Sequence, residues 1–171
     1  MAAKRFVIEP TDHRLGNIQA PIVLLEYGDY QCEFCKAALP VVKKLRRHFG
    51  KQLVFIFRNF PLTTEHPNAF AKAVAAEAAA KQRKFWRMHS VLFIEKSILT
   101  AAKKAGVDLK KFLLAMRSDE LQKKVDADIS SGIHIGVNGT PSFFVNGKRY
   151  NGEHNYIAMS EYIQHVLDRR K

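Results

Sequence analysis

Cys32 and Cys35 are separated by two residues in "YGDYQCEFCKAALP", and the chain has no other cysteine. A pair at this spacing can exchange a disulfide, supply half of a zinc site, or arise by accident. Random placement gives this spacing roughly once in 90 arrangements, so accident is set aside. Structural zinc takes four ligands, and no second cysteine pair exists. The seven histidines show no metal-ligand spacing among themselves. A redox dithiol is the leading reading, with a structural bridge and a zinc site as alternatives. No metal and no organic cofactor is implied.

The flanking residues favour redox chemistry. Cys32 follows the apolar run "IVLLEY" and opens a helical stretch. Unpaired backbone N–H groups and the positive end of the helix dipole face it there, which favours the reactive thiolate. Cys35 lies one turn later on the same side, so the sulfurs can bridge without unfolding the helix. A short loop of this kind makes an easily exchanged disulfide. Glu26 interrupts the apolar run. A buried carboxylate is costly unless its pKa rises or it finds a partner. Below the helix it can accept and return the proton of Cys35; a strand-end glutamate reaching solvent is the alternative. Pro141, in "GTPSFF", stands at a strand start, where its missing N–H does no harm. A cis Thr140–Pro141 bond would turn the backbone sharply and leave Thr140 free to pair with an extended substrate peptide. An ordinary trans proline is the alternative there.

These residues need elements to hold them. "IVLLEY" and "QLVFIFRNF" run apolar without alternation and read as strands buried on both faces. Between them "KAALPVVKKLRRHFG" reads as a helix. Ala37, Val41, Leu45 and Phe49 form one stripe, Pro40 kinks it, and Gly50 ends it. Strand, helix, strand makes a βαβ unit with parallel strands. From about 67 to 137 the pattern is helical. Pro67 suits a first turn, and "DLKKFLLAMRS" and "DELQKKVDADISSGIHIG" each open on a capping Asp. "SFFVNGKRYNG" is a hairpin around Asn146-Gly147. A last amphipathic helix runs from about Asn155 to Asp168, with Ile163, Val166 and Leu167 inward. The sum is an α/β sheet with a mostly helical insertion.

Composition narrows the function class. In 171 residues, 47% are apolar, which is enough for one real core. The formal charge is +12, from 28 Lys and Arg against 16 Asp and Glu. The basic residues are scattered and no basic-aromatic motif accompanies them, so nucleic acid is not an expected partner. No apolar run is long enough for a membrane span or a signal peptide. The expected location is cytoplasmic, or periplasmic if a signal was removed before residue 1.

Four motifs carry a resemblance: "EYGDYQCEFC", "FRNFPLTTEHPNAF", "AAEAAAKQRKFWRMH" and "GVNGTPSFFVNG". In this order, across about residues 15 to 165, the chain resembles the DsbA-like thiol–disulfide oxidoreductases of the thioredoxin superfamily. The resemblance implies a thioredoxin fold with an inserted helical sub-domain: 1–60 and 138–171 form the thioredoxin-like part and 61–137 the insertion. It makes Cys32 the nucleophile, Cys35 the resolving thiol and Pro141 the cis-proline, and Glu26 matches the family's buried acidic position. The best-known strong oxidants carry a histidine between the cysteines. Glu33 and Phe34 stand here instead, and Glu33 would raise the Cys32 pKa relative to histidine. The stretch "LFIEKSILTAAKKAGVDL" is shorter than the family's usual segment.

The expected function is therefore a protein disulfide oxidoreductase. Its partners would be cysteine-containing protein substrates and a redox partner protein or glutathione. Phe34, Phe60 and the Gly139–Thr140–Pro141 loop would rim the substrate site, with Glu33 beside them. The alternatives are a weak oxidant acting mainly as a reductase and a non-catalytic binding module on the same scaffold.

Overall fold

In the computed structural model, which describes residues 7–170, five strands form one mixed sheet. They are β1 (His13–Leu15), β2 (Ile22–Gly28), β3 (Leu53–Asn59), β4 (Ser142–Val145) and β5 (Lys148–Arg149), in the order β1-β3-β2-β4-β5. β2 and β3 are parallel, with Glu26 opposite Phe57; β4 runs antiparallel to β2, with Glu26 opposite Phe143. The βαβ expectation and the Asn146-Gly147 hairpin both hold. Both turn residues have positive φ, 48° and 82°, as a two-residue hairpin turn demands. The Asn146 side chain also accepts from the Val23 N–H at 2.7 Å and donates to the Pro21 carbonyl at 3.0 Å. The hairpin is thereby stitched to the start of the central strand. β1 was not foreseen. Three residues, His-Arg-Leu, are too few and too polar to show a strand period.

Seven α-helices follow the sheet's connections: α1 (Glu33–Phe49), α2 (Ala69–Ala80), α3 (Phe85–Leu92), α4 (Ile98–Ala105), α5 (Leu109–Ala115), α6 (Asp119–His134) and α7 (Tyr156–Asp168). Five of them, α2 to α6, lie between β3 and β4, where the helical insertion was expected. Residues 1–6 and Lys171, the ends of the expected core, lie outside the described residues.

Two helix details correct the sequence reading. The buried stripe of α1 is Cys35, Ala38, Val42, Leu45 and Phe49, while Ala37 is exposed. A strict spacing of four drifts off the face of a 3.6-residue helix; alternating threes and fours stays on it. The cap of α6 is Ser118, with Asp119 inside the first turn. Asp108 and Asn155 do cap α5 and α7, accepting from the N–H of Lys111 and Ala158. Of the three residues expected inward on α7, Ile163 and Leu167 are buried and Val166 is partly so.

The sheet separates two cores. On one face, Leu24, Phe55, Phe57 and Phe143 pack under α1, α7 and the helical block. On the other, Leu25, Tyr27, Ile56, Phe60 and Phe144 form a smaller cluster. Alternation along β2 puts Glu26 on the first face, among aromatic rings and under α1. Phe57 and Phe143 are fully buried there, and each such burial stabilises by about 1.5–3 kcal/mol.

Candidate active site

Cys32 occupies the N-cap of α1 and Cys35 its first turn. Both are buried and both are free thiols. The Cys32 N–H donates to the Asp29 carbonyl at 3.1 Å, closing a turn between β2 and the helix. The apolar strand stops because Gly28 and Asp29 end it, and the helix starts because Cys32 is extended, with φ −77° and ψ 119°. The turn and the cap together bring the sulfurs to the sheet's carboxyl edge.

The two thiols are driven apart. The Cys32 pKa falls from 9.0 to about 5, first because the Cys35 thiol donates a hydrogen bond to its sulfur. Burial opposes this; the Thr140 side chain and the N–H groups of Cys35 and Phe34 add to the lowering. The sequence pointed to the backbone N–H groups, but the neighbouring thiol matters more. Cys35 moves far above the usual thiol range. Burial is the main cause, followed by its bond to Cys32 and the nearby Glu26 carboxylate. At neutral pH the Cys32 sulfur is thus held as a thiolate while Cys35 keeps its proton.

Thr140–Pro141 is cis. In the thiol form Cys32 donates to the Thr140 carbonyl at 3.4 Å, so this carbonyl already has a partner at the site. Pro141 is buried at the start of β4.

Glu26 is 4% exposed, so the solvent-reaching alternative is set aside. Its pKa rises from 4.5 to about 8, through burial first and the Cys32 thiolate second. Gly28 permits this placement: a Cβ there would lie 2.5 Å from the Phe57 ring and 3.1 Å from Glu26 Oε1.

Sequence reading assigned no role to Asp29 and His66, although both stand inside the quoted motifs. Asp29 is buried; its carboxylate accepts from the Gln31 N–H at 2.7 Å, the Leu62 N–H at 2.8 Å and His66 Nδ1 at 2.7 Å. Its own N–H points at Cys35 Sγ, 3.5 Å away. The His66 pKa is raised, mainly by the bond to Asp29. Gln31 Oε1 takes the Asn68 N–H at 2.7 Å. The turn before the cysteines is thus latched to the loop between β3 and α2. Beneath it, Tyr30 is hydrogen-bonded to His89 at 3.0 Å. The only advance signal for the latch was an Asp next to a strand end and a His next to a Pro.

The expected rim is only partly present. Phe34 is 74% exposed beside Cys32. Glu33 also faces solvent and pairs with Lys36 at 3.7 Å, which turns its charge outward. Gly139 and Thr140 are partly exposed. Phe60 is not part of the rim. It packs edge-on to Tyr27 beneath α6, where Gly132 leaves room for its ring. One residue beyond β3, it continues the strand's alternation into the lower core. A cleft of about 370 Å³ that includes Cys32 is instead walled by Tyr30, Phe93 and Ile94, with Lys36 and Lys96 at its edge. Among the described residues, no three His, Cys, Asp or Glu side chains converge to hold a metal ion.

Comparison with known proteins agrees with this geometry. A family model described as thioredoxin matches residues 9–165. The chain is 40% identical over 154 residues to the Na(+)/H(+) antiporter NhaA 1 of Mycolicibacterium vanbaalenii, a match covering 85% of this chain and 25% of that protein. It is 36% identical over 155 residues to that of Salinispora arenicola, covering 87% of this chain and 24% of the other. The chain spans about a quarter of the length of these relatives. Among the described residues, no helix is long and apolar enough to cross a membrane. In fold, the chain is similar to a thioredoxin-like oxidoreductase from Silicibacter pomeroyi, with a TM-score of 0.81, 24% identity and 95% and 93% of the two chains covered. It is equally similar to oxidised BdbD from Bacillus subtilis, with a TM-score of 0.81, 22% identity and 91% and 92% covered. A reactive thiol at a helix cap, its mate one turn on, and a helical block set into the sheet's connections agree with the family match: the chain belongs to the thioredoxin family.

Proposed function

We propose that this chain donates its Cys32–Cys35 disulfide to cysteine-containing protein substrates. A substrate thiolate attacks Cys32 Sγ, the Cys32–Cys35 bond breaks, and Cys35 leaves as a thiolate and takes a proton. A second substrate thiolate attacks the substrate sulfur of the mixed disulfide and releases the Cys32 thiolate. The substrate loses two electrons and the chain gains them. A redox partner protein or glutathione disulfide returns the chain to its oxidised form. Glu26, the buried carboxyl beneath α1, supplies and removes the Cys35 proton. Phe34 and the Gly139–Pro141 loop receive the substrate around the reacting sulfur. Donation persists only in an oxidising compartment, and the proposal includes that requirement.

One observation carries this direction: Cys32 is stabilised as a thiolate, with a pKa near 5. A stabilised thiolate favours the dithiol and makes its disulfide a better oxidant. Equilibration against glutathione tests it. The potential should fall nearer the strongly oxidising end, about −120 mV, than the thioredoxin value of about −270 mV. A thioredoxin-like value would overturn donation and favour the reducing direction.

Glu26→Gln should separate catalysis from stability. Between pH 4.5 and 8 the unfolded chain carries the Glu26 charge and the folded chain does not. The wild-type protein therefore loses stability as pH rises through that window. Glutamine carries no charge in either state, so the variant should gain on wild type between pH 5 and pH 8 in urea titrations. Its exchange rate at neutral pH should fall, by roughly 100-fold or more for a lost proton carrier. Equal pH dependence of stability in the two proteins would show that Glu26 is ionised in the fold.

A further inference from the structure

Behind the active helix lies a cavity of about 480 Å³ that shares Glu26 with the exchange chemistry but lies away from the reacting sulfurs. Its walls are apolar: Leu39 and Val42 of α1, Phe55 of β3, Trp86 of α3, with Leu15 and Ile94. This volume is in the range of small-molecule sites, about 300–1,000 Å³. Its polar groups are few and differ by position. Glu26 and His89 lie deep, each buried. Arg46 and Lys43 stand on the outer turns of α1, at the solvent side of the cavity.

Neither end is satisfied by the protein. Among the described residues, the Glu26 carboxyl has no hydrogen-bond or ion-pair partner, although the residue is 4% exposed. The partly buried Arg46 guanidinium likewise has no partner among the described residues, nor has the Lys43 ammonium. Among the described residues Glu26 is the only acidic one lining the cavity, and with its pKa near 8 it is mostly neutral at pH 7. The His89 imidazole is neutral too, pushed down to about 3 by burial. The cavity thus offers an apolar interior, uncharged hydrogen-bonding groups at depth, and two cations at its mouth.

We propose that this cavity binds a small amphipathic organic anion, its apolar body against Trp86 and Leu39 and its negative group on Arg46 and Lys43. A cationic ligand would meet two positive charges on entry. A wholly apolar one would leave the guanidinium without a partner. A planar fork such as Arg46 suits a carboxylate, which can accept two parallel N–H bonds.

Trp86 is the only tryptophan of the chain and sits in the wall, so binding can be read from its emission. The probes are 3-phenylpropionate and its neutral counterpart, 3-phenylpropanol, titrated into the full chain with calorimetry in parallel. The acid should give a saturable change and bind about tenfold more tightly than the alcohol. Arg46→Gln should weaken the acid about tenfold and leave the alcohol unchanged. Its circular dichroism should match wild type, because the guanidinium holds no other group. Leu39→Phe, which fills the cavity, should weaken both probes. Equal binding of acid and alcohol, or no effect of Arg46→Gln on the acid, would overturn the anion assignment. No saturable signal and no heat with either probe would overturn the site altogether. None of these readouts depends on disulfide exchange, so the proposed activity and this site can fail separately.

Discussion

Serine in place of Cys32 is expected to abolish thiol–disulfide exchange, measured as insulin reduction and as oxidation of reduced ribonuclease. A hydroxyl forms no disulfide, and its oxygen is not ionised near neutral pH. The rate should fall on the order of 1,000-fold or more, to background. The thiolate absorbance that titrates with a midpoint near 5 should vanish with it. Cys35→Ser should behave differently. Cys32 stays reactive, but nothing inside the chain resolves the mixed disulfide, so covalent complexes with substrate should accumulate on non-reducing gels. Its Cys32 midpoint should also rise, because the Cys35 thiol is the leading cause of the lowering. Full activity in the Cys32→Ser chain would remove the enzyme reading and leave a binding module on a thioredoxin scaffold.

The contrast between Cys32 and Phe60 shows what a sequence can and cannot disclose. The cysteine pair, the strand before it and the helix after it are adjacent in the chain, and their chemistry is local. The parallel pairing of β2 with β3 followed from two uninterrupted apolar runs of strand length. The Asn146-Gly147 turn followed from residues that tolerate positive φ. Phe60, expected at the substrate rim, is buried in the smaller core instead. Whether its ring turns up or down depends on the strand's phase and on Gly132, 72 residues away. The Asp29–His66 bond has the same character: 37 residues separate its ends, and no period marks either one. The phase of α1 was missed for another reason. Four-residue spacing and the true stripe share Leu45 and Phe49, and only packing shows which of the other positions is covered.

Arg58→Met is expected to destabilise the fold by about 3–5 kcal/mol, the usual cost of stranding one partner of a buried ion pair. The Arg58 side chain is 3% exposed and that of Asp12 is 1% exposed. Arg58 Nε and Nη2 each donate to the Asp12 carboxylate at 2.8 Å, a two-pronged pair. Nη1 also reaches Tyr27 Oη at 3.1 Å and Ser131 Oγ at 3.2 Å, and Nη2 reaches the Val7 carbonyl at 2.6 Å. One guanidinium therefore ties the segment before β1 to two sheet strands and α6. Methionine fills most of the volume but leaves the Asp12 charge buried and uncompensated. Urea unfolding should show a lower midpoint with little change in slope. Replacing Asp12 with leucine in the same chain should restore much of the loss, because no charge is then stranded. A loss under 1 kcal/mol in the single variant would mean that water reaches Asp12 once the guanidinium is gone.

The bond from Asp29 to His66 and Leu62 bears on how such proteins can be re-engineered. A designer who exchanges the helical block for that of another family member, cutting just after β3, would discard both donors that anchor the cysteine turn, the Leu62 N–H and His66. The chimera would keep its nucleophile yet hold it loosely. A graft that carries residues 62–68 across with the original turn should keep the reactive sulfur in position.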